Sequence, residues 1–379
     1  MEAPRRNDNL GHLILAERLS LIPSLVEEFA QKHSRQMPQG KPVQSGAGVF
    51  DGAPSGFDSV REVAIAGTGS SLAHAQYLAW LLADIPRLKV RIEPFDAFFS
   101  TTFHRPVQKD GSLLVLFSQG LSPNAQMVLA ARQAFGKSVL LTSTTAQGAR
   151  AAGKPDRAQL LETFAAEGNV IRWFPIENEF EVLVRFVGPV LGYLAAAALA
   201  QELGATITFP KPGEARQAIE DAIISGREST SAWTLPALSA GSVLLAPAPL
   251  SCFASNLQAK FVEGLFVPAP FLCDGLSFAH GAFQFAAEKH APVIMLGVEK
   301  QQCAAHHELL SKASEMCLSV GISPWFLPSK LPLPFAILEH EAMLNAALLR
   351  LMEQEGISQK EWPGKGLDGA LYGLVTPYK

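Results

Sequence analysis

Leu113, Leu114, Val115, Leu116 and Phe117 are five consecutive apolar residues that stop at the turn Ser118-Gln119-Gly120-Leu121-Ser122-Pro123. An apolar run this short, bounded by turn formers, reads as a strand buried on both faces. The residues after it, 123–135, have helical character. The same unit recurs on both sides. Residues 62–66 form a short apolar strand ending in Gly67-Thr68-Gly69-Ser70-Ser71, with a helix over 70–83. Further strands are expected at 88–92, 138–141 and 170–174. Strands alternating with helices imply a parallel sheet covered on both faces.

A second series begins near Gly241, with strands at 242–246, 269–274, 291–297 and 325–327 and helices at 255–267 and 304–320. The similar element order points to internal duplication. The expected fold class is α/β, two tandem units, each a parallel sheet flanked by helices in a flavodoxin-like three-layer sandwich. Around these units the sequence predicts a helix over 13–31, an exposed Gly/Pro/Ser-rich linker over 36–56, a mostly helical stretch over 177–203, a connecting segment over 210–226 and a final amphipathic helix over 335–353. The expected division is 1–55 (helix and linker), 56–205 (first unit), 206–235 (connection), 236–350 (second unit) and 351–379 (tail).

The length, 379 residues of which 48% are hydrophobic, supplies two sizeable cores. A net charge of −4 argues against a broad nucleic-acid-binding face. The four cysteines, Cys252, Cys273, Cys303 and Cys317, show no CxxC pair and suit reduced thiols in a cytoplasmic protein. The polar start is not followed by a signal-peptide core. The longest apolar run, 187–200, falls short of the ~20 residues of a membrane span and reads as a buried helix.

Ligands of open parallel sheets bind where strands end and helices begin. Ser122 is a natural N-cap and Pro123 suits the first helical position. The free amides there, the helix dipole and the hydroxyls of Ser118 and Ser122 suit a phosphate dianion, and Gly120 allows close backbone approach. Ordinary helix capping explains either loop alone; two such loops on neighbouring strands favour a ligand. Thr142-Ser143-Thr144-Thr145 is a third polar loop at the same edge, suited to ligand contact or to capping. Leu72 stands where a GxGxxG dinucleotide fingerprint needs glycine, and no Walker lysine follows either loop.

These motifs resemble the SIS (sugar isomerase) family, in particular the isomerase portion of glucosamine-6-phosphate synthase and related phosphosugar isomerases and deaminases. Gly67-Thr68-Gly69-Ser70-Ser71 is similar to that family's Gly-x-Gly-Thr-Ser loop, and Ser118-Gln119-Gly120 to its Ser-Gln-Ser-Gly-Glu-Thr phosphate loop. Ala16-Glu17-Arg18 to Pro23 is similar to its N-terminal helix. Lys260-Phe261-Val262-Glu263 resembles its Lys-Leu-Lys-Glu helix, and Gly275-Leu276-Ser277-Phe278-Ala279-His280-Gly281 its Gly-Glu-Leu-Lys-His-Gly segment, one residue longer.

The resemblance implies a sugar phosphate held by Gly69, Ser70, Ser71, Ser118, Gln119, Gly120 and Ser122. It implies Glu263 as the base for C1/C2 proton transfer and His280 as the ring-opening group, donated from a second subunit of a homodimer with a shared site. Lys260, three residues before Glu263, would tune or orient that base or bind substrate; the alternative is a surface helix pair. Neither metal nor organic cofactor is implied.

Some residues depart from the pattern. Gly120 replaces a serine, Pro123 falls at or near a threonine, and Asn256 stands where a glutamate is usual. Lys365 follows Pro363 by two residues, where the Schiff-base lysine follows by five. These departures favour the rival class, a non-catalytic phosphosugar sensor. A nicotinamide reductase is a third, weaker reading. His306-His307-Glu308 and Glu339-His340-Glu341 read as solvated helix faces without metal, and His74, just after the first loop, as facing a neighbouring helix, with ligand contact as the alternative.

Overall fold

The computed structural model describes residues 9–34, 56–98, 109–174, 179–229, 233–299 and 303–371. In chain order the elements are α1 (His12–Ser34), β1 (Glu62–Ala66), α2 (Ser70–Leu82), β2 (Lys89–Glu93), β3 (Ser112–Phe117), α3 (Pro123–Ala130), β4 (Lys137–Thr142), α4 (Ala146–Ala151), α5 (Pro155–Ala166), β5 (Val170–Trp173) and α6 (Val187–Glu202). There follow α7 (Pro212–Ser229), α8 (Leu235–Ser239), β6 (Val243–Leu245), α9 (Ala248–Ser251), α10 (Ser255–Leu265), β7 (Phe271–Cys273), α11 (Ala282–Lys289), β8 (Val293–Leu296), α12 (Ala304–Ser319), β9 (Trp325–Leu327) and α13 (Ala336–Glu355). Apart from Gly56, the linker expected over 36–56 lies outside the described residues.

The elements form two compact units, each discontinuous in sequence. One draws on described residues within Gln36–Glu177, Leu191–Thr208 and Gly364–Lys379; the other on those within Met1–Arg35, Asn178–Val190 and Phe209–Pro363. The first holds a five-stranded sheet of order β2-β1-β3-β4-β5, the second a four-stranded sheet of order β7-β6-β8-β9. Every pairing is parallel, with register such as Val63↔Leu113, Val115↔Val139 and Leu244↔Ile294.

In the five-stranded unit all six residues of β3 are buried, as expected for a central strand covered on both faces. Ala64, Ala66, Leu114, Leu116 and Leu140 share a core with Leu121, Ala125, Val128 and Leu129 at α3 and Leu161 and Phe164 of α5. On α2, His74 packs against Phe117 and, edge-on, against Tyr193 of α6, the latter with ring centroids 4.8 Å apart. A Cβ on Gly192 would lie 2.1 Å from the His74 ring, so α2 and α6 approach this closely only because residue 192 is glycine.

The four-stranded unit buries Val243, Leu245, Val293 and Met295 in one core with Phe278, Ala282 and Ala286 and with Leu310, Ala313 and Cys317 of α12. Helix α13 packs against α1, α7 and α10. Its burial corrects the amphipathic expectation. Residues 336 to 349 are all buried, so α13 is a central helix with apolar residues all round.

The segment expected to be a connection is likewise α7. Ala215, Ala218, Ile219 and Ala222 form its buried stripe, and Pro212 stands in its first turn, where a missing N–H is harmless. Helices α4 and α5, between β4 and β5, were not anticipated.

Helix α6 begins at Val187, where the apolar run begins and ten residues after the start of the mostly helical stretch expected over 177–203. The fully buried Glu179 carboxylate accepts hydrogen bonds from the amides of Phe186 (2.9 Å), Val187 (2.6 Å) and Gly188 (2.9 and 3.1 Å). It thus satisfies amides at the α6 amino terminus, where negative charge is favoured. Glu179→Ala is expected to lose about 3 kcal/mol of stability in urea unfolding, and Glu179→Gln, which keeps a carbonyl acceptor, to lose less.

Candidate functional site

A parallel sheet ordered 2-1-3-4-5 sends the connections after its first and third strands to opposite faces, leaving a crevice at their carboxyl ends. Gly67-Thr68-Gly69-Ser70-Ser71 follows β1 and Ser118-Gln119-Gly120-Leu121-Ser122 follows β3, so the five-stranded unit places both loops at this switch point. In the first loop a Cβ on Gly67 would fall 2.2 Å from the Ser71 carbonyl oxygen, so α2 can start this close to β1 only with glycine there. Gly69 precedes α2 at φ 56, a conformation that favours glycine, and offers no side chain to cap the helix. The half-buried Ser70 and Ser71 hydroxyls have no intramolecular partner among the described residues.

In the second loop the Ser118 amide extends the ladder to the Leu141 carbonyl at 3.0 Å. The Ser118 residue is buried, and its hydroxyl has no partner among the described residues. Ser122 caps α3, its hydroxyl accepting from the Ala125 amide at 3.3 Å. The left-handed residue of the turn is Leu121, at φ 48, while Gly120 keeps a negative φ. A left-handed leucine costs about 1–2 kcal/mol. Complete burial of its side chain beneath α3 offsets that by a similar amount.

The third polar loop braces the second. Thr142, Ser143 and Thr144 hydroxyls lie 3.0, 2.8 and 3.3 Å from the Gln119 carbonyl oxygen, which also accepts from the Ser143 amide at 3.0 Å. Thr145 caps α4 through the Gly148 amide. These hydroxyls therefore have structural partners already. One contact had no sequence signal: Arg157, in the first turn of α5, donates from Nη1 to the Gly120 carbonyl at 2.8 Å.

The proton-handling candidates lie in the four-stranded unit. Glu263 is half-buried near the end of α10, and burial pushes its carboxyl above the ordinary range, opposed by the positive charges of Lys260 and Arg185. Gln359, fully buried, holds the Glu263 segment. Its side chain donates to the carbonyls of Glu263 (3.2 Å) and Gly264 (2.9 Å) and accepts from the Val184 amide (3.1 Å).

Lys260 is not one of a pair of surface side chains. At 1% exposure its ammonium pairs with Glu341 at 3.0 Å and donates to the Arg185 carbonyl at 2.8 Å. Asn256 donates to the other Glu341 oxygen at 2.5 Å. A carboxylate thus reaches residue 256 from α13, although position 256 itself carries an amide.

This corrects the reading of Glu339-His340-Glu341 as a solvated face: all three are buried. The Glu339 carboxylate accepts from the Lys330 amide and the Leu331 amide. His340 is held neutral by burial, its pKa lowered to about 4. In the other pair, His307 bonds the Val298 carbonyl at 2.6 Å, while Glu308 pairs with Lys312 at the surface. No group of three or more potential metal ligands occurs among the described residues.

His280 is exposed after β7, between a short turn braced by Asp274 and the start of α11. In chain order Glu263 precedes β7 and His280 follows it. Lys365 is exposed in the tail.

No protein-family model matches the sequence, and no curated protein does. Solved structures do match over nearly the whole chain. The C-terminal domain of glucosamine-fructose-6-phosphate aminotransferase from Francisella tularensis is 13% identical with a TM-score of 0.63, covering 91% of this chain and 97% of that one. Tagatose-6-phosphate ketose/aldose isomerase from Escherichia coli is 12% identical at 0.63, covering 91% and 94%. Glucosamine-6-phosphate deaminase from Thermotoga maritima is 13% identical at 0.61, covering 92% and 97%. The fold is therefore the tandem SIS-type fold that these proteins share, as the sequence motifs imply. No helix among the described residues is long and apolar enough to cross a membrane.

Proposed function

We propose that this protein binds a sugar phosphate at the switch point of its five-stranded sheet and interconverts it by proton transfer between C1 and C2. The observation that carries the reading is the pair of loops at the ends of β1 and β3. They combine helix amino termini with the unpartnered hydroxyls of Ser70, Ser71 and Ser118. Gly69, Gln119, Gly120 and Ser122 complete the phosphate-binding set.

Glu263 is assigned the proton transfer. A carboxyl whose pKa is raised by burial is a stronger base than an ordinary glutamate and is suited both to take and to return a proton. It removes the proton from C2 of the open-chain aldose, and the C–H electrons form the C1=C2 bond of an enediolate as the C1=O π pair moves onto O1. Return of the proton to C1, with transfer of the O2 hydroxyl proton to O1, leaves the ketose carbonyl at C2. His280 is assigned ring opening, moving a proton from the anomeric hydroxyl to the ring oxygen, and is contributed by the second subunit of a homodimer. Lys260 supports Glu263 by its charge. The assignment to a cytoplasmic, cofactor-independent isomerase or deaminase follows the same reading.

The test is deuterium exchange in D2O with fructose 6-phosphate and glucosamine 6-phosphate, read by NMR at the C1 and C2 protons. The unaltered protein is expected to exchange them, and Glu263→Gln to slow exchange by about 10²–10⁴-fold. Tight binding without exchange would instead support a sugar-phosphate sensor. The tail sequence Pro363-Gly364-Lys365-Gly366-Leu367, without a lysine five residues after the proline, favours that second reading.

A further inference from the structure

The 118–122 loop offers hydroxyls and backbone amides but no positive charge of its own. Residue 120 is glycine, and the Ser122 hydroxyl accepts from the Ala125 amide while keeping its own O–H to donate. The loop is held in one shape by contacts along its length. The polar residues after β4 converge on the Gln119 carbonyl. Because N–H and C=O of a trans peptide point oppositely, the Gly120 N–H is directed away from that cluster. It has no intramolecular partner among the described residues. On the next peptide the Gly120 carbonyl accepts from Arg157.

Arg157 is the half-buried arginine of the five-stranded unit that lacks an ion pair among the described residues. Arg61 and Arg87 also lack one, but they are exposed and donate to backbone carbonyls. Arg91, Arg132, Arg150 and Arg172 each form an ion pair with a glutamate. Arg157 makes no ion pair among the described residues, although it is half-buried and burial disfavours its charge. Its one intramolecular hydrogen bond uses one guanidinium nitrogen on the tip of the loop. A guanidinium carries five N–H donors and prefers planar oxyanions such as carboxylate and phosphate. A half-buried cation with no ion-pair partner among the described residues, on a loop whose Gly120 amide and Ser118 hydroxyl have none there either, is chemically matched to a dianion.

We propose that Arg157 contacts the phosphate group of the ligand at this loop and supplies the positive charge that a cradle of hydroxyls and backbone amides otherwise lacks. This rests on the phosphate-binding reading given above and adds a residue to it. Arg157 also positions the loop through the Gly120 carbonyl, so the test must separate charge from bracing. Lysine and glutamine at position 157 can both donate a hydrogen bond to that carbonyl, but only lysine keeps a positive charge.

Calorimetric titration of the whole protein with inorganic phosphate and with fructose 6-phosphate gives the measurement, with circular dichroism and thermal unfolding checking that each variant folds. Arg157→Gln is expected to weaken both ligands by about 10–100-fold, as for loss of a charge-assisted contact. Arg157→Lys is expected to remain within about fivefold of the unaltered protein, and added salt to weaken binding less in Arg157→Gln than in the unaltered protein. Equal weakening by lysine and glutamine, or binding by Arg157→Gln within threefold of the unaltered protein, overturns the contact while leaving the phosphate reading intact. If the unaltered protein binds neither ligand, the phosphate reading fails and the Arg157 contact with it.

Discussion

Glu341→Ala is expected to destabilise the four-stranded unit by about 3–5 kcal/mol, because it strands a buried lysine. The Lys260 ammonium is 1% exposed and lies 5.5 Å from the centroid of the Phe186 ring. Its partners are the Glu341 carboxylate and the Arg185 carbonyl. Without Glu341 the ammonium keeps only a neutral acceptor, and Asn256 loses the carboxylate it donates to. Lys260→Met combined with Glu341→Leu removes both charges together and should lose far less than the single change, since a buried pair is often neutral against an apolar core of similar volume. Urea midpoints rank the variants, and amide hydrogen exchange along α10 and α13 locates the loss. A Glu341→Ala loss below 1 kcal/mol would mean that Lys260 finds another partner or escapes to water.

That ion pair also shows where sequence reading stops. Local chemistry was legible: apolar runs fixed the strands to within about two residues, and Gly67-Thr68-Gly69-Ser70-Ser71 and Ser122-Pro123 marked helix starts. Both are decided by neighbours in the chain, through backbone conformation and capping. Partners 85 residues apart, such as Asn256 and Glu341, leave no local trace. The three polar residues at 339–341 suggested solvent, yet the apolar residues of α13 cover every side of the helix, as its burial requires. Helix α7 was hidden by Pro210-Lys211-Pro212-Gly213, a sequence that resembles a break and in fact opens a helix with Pro212 in its first turn.

The candidate site divides in the same way. The phosphate loops were readable because they are contiguous segments at strand ends. Their bracing was not: Arg157 reaches Gly120 across 37 positions from a helix that the sequence reading did not detect. Gln359 holds the Glu263 backbone across 96 positions. What the hydroxyls of 142–144 do could not be decided without tertiary structure, because a Thr/Ser cluster at a strand end serves a ligand or a neighbouring carbonyl with the same groups.

Below pH 6.5 the protein is expected to lose stability progressively down to about pH 4, and two buried histidines are the main cause. His340 is fully buried, and burial lowers its pKa to about 4. His33 sits between Phe29 and Phe209, with ring centroids 4.2 and 5.0 Å away; burial, aided by the charge of Lys32, lowers it to about 4 as well. In the unfolded chain each titrates near 6.5, so between the two values the unfolded state binds more protons and is favoured as pH falls. Their stabilising contribution is complete above 6.5 and lost on the way to 4, on the order of 3 kcal/mol for each histidine.

Glu263 and Glu339 act in the opposite sense. Their folded-state pKa values are raised by burial, so their contribution is complete below the ordinary carboxylate range and lost as pH rises through the folded values. The histidine effect must therefore be isolated by substitution. His340→Leu and His33→Leu should each flatten the fall in urea midpoint between pH 7 and 4, and the double variant should flatten it most. An unchanged slope in both single variants would place the acid sensitivity elsewhere. A slope that flattens only in His340→Leu would show that His33, near the end of α1, reaches solvent by local fraying before the core opens.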